Sequence, residues 1–364
     1  MKFSVNKESM VEALQQVQLI VNPRTTLSIL SNILIHADED TCSLTTTDLE
    51  ISMRTSVESK VSKPGASTIP ARRIFSIFRE LPSHTIEIDV NDKDIASIQC
   101  GSSFFKLVGI SEDDFPPLPV FDECQTYILD QGVFKEMLQK TCYAASTDET
   151  RYILNSVLLS FKDDKLIMVA TDGRRLALVE QEVEFPKEAE IDLILPSKTV
   201  NELIRALGDE GVLTIKVTAK QIAFEFNNLL IISKLIDGTY PNFRQVIPAQ
   251  SEHRIAIERE ELLTTVRRVA LVTSDQSNSV KLTFVKNRLE ITSITPDVGE
   301  ARETLPVKYT GKEISISFNP DFLISPLKSL ESDEVFMEVT DDLSPGVLKS
   351  NVPFIYVIMP MKPT

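Results

Sequence analysis

The chain has 364 residues and a formal charge of −15, with 42% apolar and 25% charged residues, which is ordinary for a globular protein of two or three domains. No apolar run approaches the ~20 residues of a membrane helix, and the opening MKFSVNKESM lacks the apolar core of a secretory signal. Four scattered cysteines without a CxxC pair read as free, buried thiols of a reducing cytoplasm, and the absence of HExxH, P-loop, GxGxxG and GxSxG motifs counts against an enzyme and implies no metal or cofactor.

From the N-terminus, MKFSV predicts a strand leading into a helix over 6–21, where Met10, Leu14, Val17 and Val21 recur on one face. LTTTDLEIS follows. A second helix is predicted over 70–81, opened by Pro70, because proline has no N–H to leave unpaired in a first helical turn. TIEIDV alternates strictly, as a half-buried strand does, and QCGSSFFKLVGI reads as strand, polar turn, strand. SEDDFPPLP then reads as a linker.

The series restarts with TYILD and a helix over 130–146, MVATDGRRLAL, a helix over 196–207 from Pro196, VLTIKV and the hairpin FEFNNLLIISKLI. After the linker DGTYPNFRQVIP it returns a third time. RIAIE leads to a helix over 258–274, then ITSITPDVGEA, a helix over 319–330 containing Pro320, VFMEV and the hairpin VLKSNVPFIYVIM. Thr47, Thr171 and Thr295 are 124 residues apart, and Phe104, Leu229 and Phe354 are 125 apart. The chain therefore reads as three units of about 120 residues. The last hairpin strand is apolar because it must pack, and MPMKPT stands where a linker would, free to lie in a groove.

The six predicted helices sum to +2, so the acidic charge lies on strands and loops. Near-neutral helices and acidic sheets suggest two faces of opposite character. Arg72, Arg73 and Arg79 share one helix, Lys198 and Arg205 another, and Arg24 sits in the turn-like VNPRTTLS. Residue chemistry alone reads these as solvated surface, Met359 and Met361 as core, and TDGRR as a turn with two surface arginines. Two rivals stay open at this point. One is a nucleic-acid enzyme, for which no carboxylate or histidine cluster stands at motif spacing. The other is a monomeric three-domain scaffold with no role on DNA.

PRTTLSILSNILI, TTTDLEISM, IPARRIFSIFRELP, DDFPPLP, TDETRYILNSVLL, VATDGRRLAL, DGTYPNFRQVIP and YVIMPMK, in this order across essentially the whole chain, resemble the bacterial DNA polymerase III beta subunit family, the sliding clamps. The resemblance implies an α+β chain of three clamp domains, 1–122, 126–248 and 252–364, with helices inside and antiparallel sheets outside. It implies two chains joined head to tail in a non-catalytic ring around double-stranded DNA, giving processivity to the replicative polymerase in the cytoplasm.

Arg24, Arg72, Arg73, Arg79, Tyr152 and Lys198 would lie near DNA, Tyr152 stacking on a base at a primer junction. The partner-peptide pocket matches Leu154, Thr171, Gly173, Arg174, Arg175, Leu176, Pro241, Val246, Val357, Ile358, Met359, Pro360 and Met361. It would take peptides carrying a Gln and apolar residues from the DNA polymerase III alpha subunit, the clamp-loader complex and other clamp-motif proteins. Paired methionines suit many partners, since they repack. Phe105, Leu107, Leu271 and Val272 match the subunit contact. Three features depart from the family. Arg174 stands where many relatives have His or Lys, Pro363 and Thr364 extend the usual end, and Pro326 should kink or shorten its helix.

Overall fold

Apolar residues at helical spacing become six helices: α1 Lys7–Val17, α2 Ala71–Glu80, α3 Gln131–Thr141, α4 Ser197–Ala206, α5 Arg259–Val269 and α6 Pro320–Ser329. The structure, a computed structural model, describes every residue except 22–24, 83–84, 250, 275–277, 297 and 362–364. Polar side chains satisfy unpaired first-turn N–H groups. Asn6 accepts from Ser9 N–H (3.2 Å) ahead of α1, and Asn319 from Asp321 N–H (2.8 Å) ahead of α6. In α1 the buried residues are Met10, Ala13, Leu14 and Val17, one stripe.

The helix ends differ from expectation in a regular way. α1, α3 and α5 stop early, and the 3-10 turns Gln18–Ile20, Cys142–Ala144 and Ala270–Val272 tighten the last carbonyls into shorter-range bonds. Pro70 and Pro196 do not enter their helices. Each is the last residue of the preceding strand, where a missing N–H is tolerated, and Pro70 is the N-cap of α2. Pro320 alone of the three lies in a first helical turn. Pro326 does not shorten α6, which has 10 residues like α2 and α4. It sits near the C-terminal end, so a single bond is lost, its buried ring adds to the core, and its carbonyl still accepts from Leu330 N–H (3.1 Å).

The chain divides into two compact units, Met1–Val133 with Glu202–Leu235, and Phe134–Asn201 with Ile236–Thr364. Antiparallel sheets explain the division. In the first unit, Ile51–Lys63 of the first repeat pairs with Leu229–Lys234 of the second, Ile51 opposite Ser233, within a 12-stranded sheet. In the second unit, Arg175–Glu182 pairs with Phe354–Ile358 of the third repeat within an 8-stranded sheet, beside a separate 4-stranded one. The middle repeat is thus shared, each half hydrogen-bonded into a neighbour's sheet. Asn227 and Asn228 supply the two positive φ angles, 45° and 61°, of a two-residue hairpin. α1 packs on α2 in the first unit, and α5 on α6 in the second.

All four cysteines are free. Cys42 and Cys100 are buried, whereas Cys124 and Cys142 are half-buried. Burial pushes the Cys42 thiol up to about 12. No described helix is long and apolar enough to cross a membrane.

Candidate functional site

Thr171–Arg175 connects the strands Lys165–Thr171 and Arg175–Glu182. Short polar side chains make this turn by bonding its backbone. Thr171 Oγ1 donates to the Arg175 carbonyl (2.6 Å) and accepts from Gly173 N–H (3.1 Å). Asp172 Oδ1 accepts from Arg174 N–H (2.8 Å) and Arg175 N–H (3.0 Å). Gly173 takes φ +87°, and a Cβ built there would meet nothing within 4 Å, so the rim beside it is open. Arg174 is exposed. Arg175 is not: its Nε donates to Asp172 Oδ2 (3.1 Å), and its guanidinium lies 4.4 Å from the centre of the Phe322 ring on α6.

The C-terminal strand forms the other side. Val357 pairs with Leu176 and Ile358 with Arg175. Beyond it, Met359 N–H donates to the Arg174 carbonyl (2.9 Å) and Met361 N–H to the Ser317 carbonyl (2.8 Å). Val357 and Ile358 are buried, but Met359 and Met361 are 43% and 36% exposed, with half-buried Pro360 between them. Beneath lies an apolar floor of Leu158, Ile167, Val169, Leu176, Leu178, Ile194, Tyr240, Val347 and Val357, against which Ile153, Phe243 and Ile247 pack. Half-buried Leu154 follows Ile153, while exposed Pro241 and Val246 flank Tyr240 and Ile247 along the chain. The structure thus brings Thr171–Leu176 and Val357–Met361 into direct contact and sets Leu154, Pro241 and Val246 next to floor residues in sequence. A cleft of about 750 Å³ in the same unit, lined by Glu252, His253, Lys312, Asp341 and other mostly polar residues, contains none of these positions.

Arg72 and Arg73 are exposed on α2, opposite its buried stripe of Ala71, Ile74 and Phe78. Arg79 is exposed too, bonded to Glu80 (3.2 Å) and lying over the Phe75 ring. Lys198 is exposed in the first turn of α4, and Tyr152 is exposed in a turn before the strand Ser156–Lys162. Arg205 is paired with Glu202 (2.8 Å). Arg24 lies outside the described residues, as do Lys362, Pro363 and Thr364.

Ser103–Val108 is an edge strand of the 12-stranded sheet, and Gly299–Pro306 an edge strand of the 4-stranded one. Phe105 is exposed on the first, but Leu107 faces the core at 8% exposure. Leu271, in the turn after α5, is 81% exposed and Val272 half-buried. Arg268 of α5 grips Glu303 of the second edge through Nε (2.7 Å) and Nη2 (2.6 Å). These hydrogen bonds, aided by the opposite charge, hold the Glu303 carboxyl below its ordinary pKa.

Family profiles for the DNA polymerase III beta subunit match the whole series of repeats: the N-terminal domain over residues 1–119, the central domain over 128–242 and the C-terminal domain over 244–362. The chain belongs to the bacterial beta sliding clamps. A beta sliding clamp of Chlamydia muridarum is 36% identical over 362 residues, covering 100% of this chain and 99% of that one. The crystal structure of a Bacillus subtilis clamp superposes with a TM-score of 0.96 at 30% identity, and that of a Bartonella birtlesii clamp bound to griselimycin with 0.95 at 33%, each covering 100% of both chains. As a sliding clamp the chain is a non-catalytic processivity factor of DNA replication, built of three clamp domains of helix and antiparallel sheet.

Sequence reasoning missed several residues at these places in the clamp. Tyr240, Phe243 and Ile247 had a signal, since they recur every three or four residues in the linker. Phe104 and Val108, exposed on the edge strand at 53% and 73%, were legible only as hairpin residues. Phe322 carried none, because its contact with Arg175 joins two segments far apart in the chain.

Proposed function

We propose that two copies of this clamp join head to tail in a closed ring around double-stranded DNA in the cytoplasm, with domains at 1–122, 126–248 and 252–364. The notch beside Gly173 receives short apolar peptides of replication proteins, the DNA polymerase III alpha subunit and the clamp loader among them. Arg24, Arg72, Arg73, Arg79, Lys198 and Tyr152 face the DNA. Such a ring needs only weak phosphate contacts to slide without falling off, and it raises the effective concentration of a tethered polymerase.

The observation that carries this reading is the unlike character of two of the open sheet edges. Ser103–Val108 and Gly299–Pro306 each leave a row of backbone groups unpaired. The first carries Lys106 and exposed Phe104, Phe105 and Val108, and the second carries Glu300 and Glu303 together with Arg302, which is paired with Glu290. Edges that differ in this way join heterologously, and such a contact either closes into a ring or runs on as a filament. The peptide reading is supported by the exposed methionines above an apolar floor.

Loading onto nicked circular DNA by an ATP-driven clamp loader tests the ring. The protein should run as two chains of 40.8 kDa, stay on the circle in high salt and leave once the circle is cut. Salt screens phosphate contacts but does not open a topological link. Equal loss from circular and linear DNA would leave only electrostatic binding.

A further inference from the structure

The notch of the second unit has a twin in the first. Thr47 Oγ1 donates to the Ile51 carbonyl (3.1 Å) and accepts from Leu49 N–H (3.1 Å), and Asp48 Oδ1 accepts from Glu50 N–H (2.9 Å) and Ile51 N–H (2.8 Å). These are the bonds that Thr171 and Asp172 make. The neighbouring strand arrives in the same register. Ile232 pairs with Ser52 as Val357 does with Leu176, and Lys234 N–H donates to the Glu50 carbonyl (3.0 Å) as Met359 N–H does to that of Arg174.

One backbone thus carries two different floors. Where the second repeat has Val169, Leu176 and Leu178, the first has Thr45, Ser52 and Arg54 in matching pairings. This floor offers an apolar side chain less apolar contact, because Ser52 Oγ donates to Thr47 Oγ1 (2.8 Å) where Leu176 stands in the other repeat. Arg54 Nε donates to Thr45 Oγ1 (3.3 Å), and among the described residues no carboxylate pairs with it. Desolvation without a counter-charge holds its pKa below the ordinary value. Its terminal nitrogens remain as a fork that fits a carboxylate.

The orientation of the sheet narrows the occupant. Thr46 donates its hydroxyl to the Val17 carbonyl of α1 (2.6 Å) and pairs with Met53, so that face meets the helix. Thr45 and Arg54, each one residue along, lie on the opposite face. Arg54 is therefore turned away from α1, on which α2 with its arginines packs, and a protein segment suits it better than nucleic acid. Glu58, two outward positions along the strand, disfavours more than one carboxylate.

We propose that this seam of the first and second repeats is a second docking site, in which Arg54 receives one Asp or Glu carboxylate of an extended polar segment of a protein partner. Fluorescence anisotropy of the full chain with labelled Ser-Gly-Ser-Glu-Ser-Gly-Ser, compared with its Gln counterpart, tests this. Arg54→Met should weaken the Glu peptide about tenfold or more, and Arg54→Lys, which keeps charge without the fork, should recover only part. A chain lacking residues 359–364 should bind the Glu peptide as the full chain does, which separates this site from the methionine notch. Equal binding by Arg54→Met or of the Gln peptide overturns the proposal. So does absence of saturable binding at millimolar peptide, or Arg54-dependent binding of a single-stranded oligonucleotide in place of the peptide.

Discussion

Gly173 and Leu49 occupy the same place in two copies of one turn, at φ 87° and 76°. The threonine and aspartate before each of them make the turn, so glycine at 173 is needed for the space it leaves rather than for the turn itself. Gly173→Leu should therefore fold, losing about 1–2 kcal/mol for a side chain in the left-handed region, measurable as a lower urea midpoint. Its effect on a polymerase peptide should be larger, at least about tenfold in Kd, because the new side chain fills the open rim. Wild-type peptide affinity in this variant would show that the rim is not used. Arg175 offers a contrast. The resemblance puts it in the pocket wall, and there its charge is engaged by Asp172 and its plane by Phe322, so it fixes the turn to α6, whereas Arg174 is exposed.

Among the elements, the C-terminal strand and its tail have separable roles. Phe354–Ile358 is hydrogen-bonded to Arg175–Glu182 on one side and Gly346–Lys349 on the other, which accounts for its burial. The described residues after Ile358 add the two backbone bonds of Met359 and Met361 given above. Deleting residues 359–364 should leave circular dichroism and the number of chains in the native assembly unchanged while peptide binding falls sharply, since a few apolar contacts carry most of the energy in such sites. Global unfolding of the truncated chain would instead mark both methionines as core. α6 teaches a related lesson about helices. Proline at 326 forecasts a kinked or shortened helix, yet the helix keeps its length because its ring is buried against neighbours and only one bond is missing near the end.

For the assembled clamp the question is closure. Leu271 is 81% exposed, and with Val272 it lies in the turn that packs against the edge strand Gly299–Pro306. Replacing both by Ala removes five carbons, up to about 4 kcal/mol per interface at ~0.8 kcal/mol for each buried methylene. The double variant should run as a folded monomer in native mass spectrometry at concentrations where the wild type is dimeric. A dimer that persists at nanomolar concentration would move the interface elsewhere. Leu107 needs the opposite expectation, because it already belongs to the core. Its truncation would destabilise the fold before it opened a ring.

What the residues determined alone is local. Periods of two and of three to four residues marked the strands and helices, and fixed intervals of 124 and 125 residues marked the repeats, because these signals are complete within a dozen neighbours or recur at one spacing. Which surfaces meet is settled by long-range packing. The pairing of Ile51–Lys63 with Leu229–Lys234 and of Arg175–Glu182 with Phe354–Ile358 depends on backbone groups that every strand carries alike. The register across those pairings is the same, with Val357 beside Leu176 and Ile232 beside Ser52, so one strand arrangement completes an apolar floor in one unit and a largely polar one in the other.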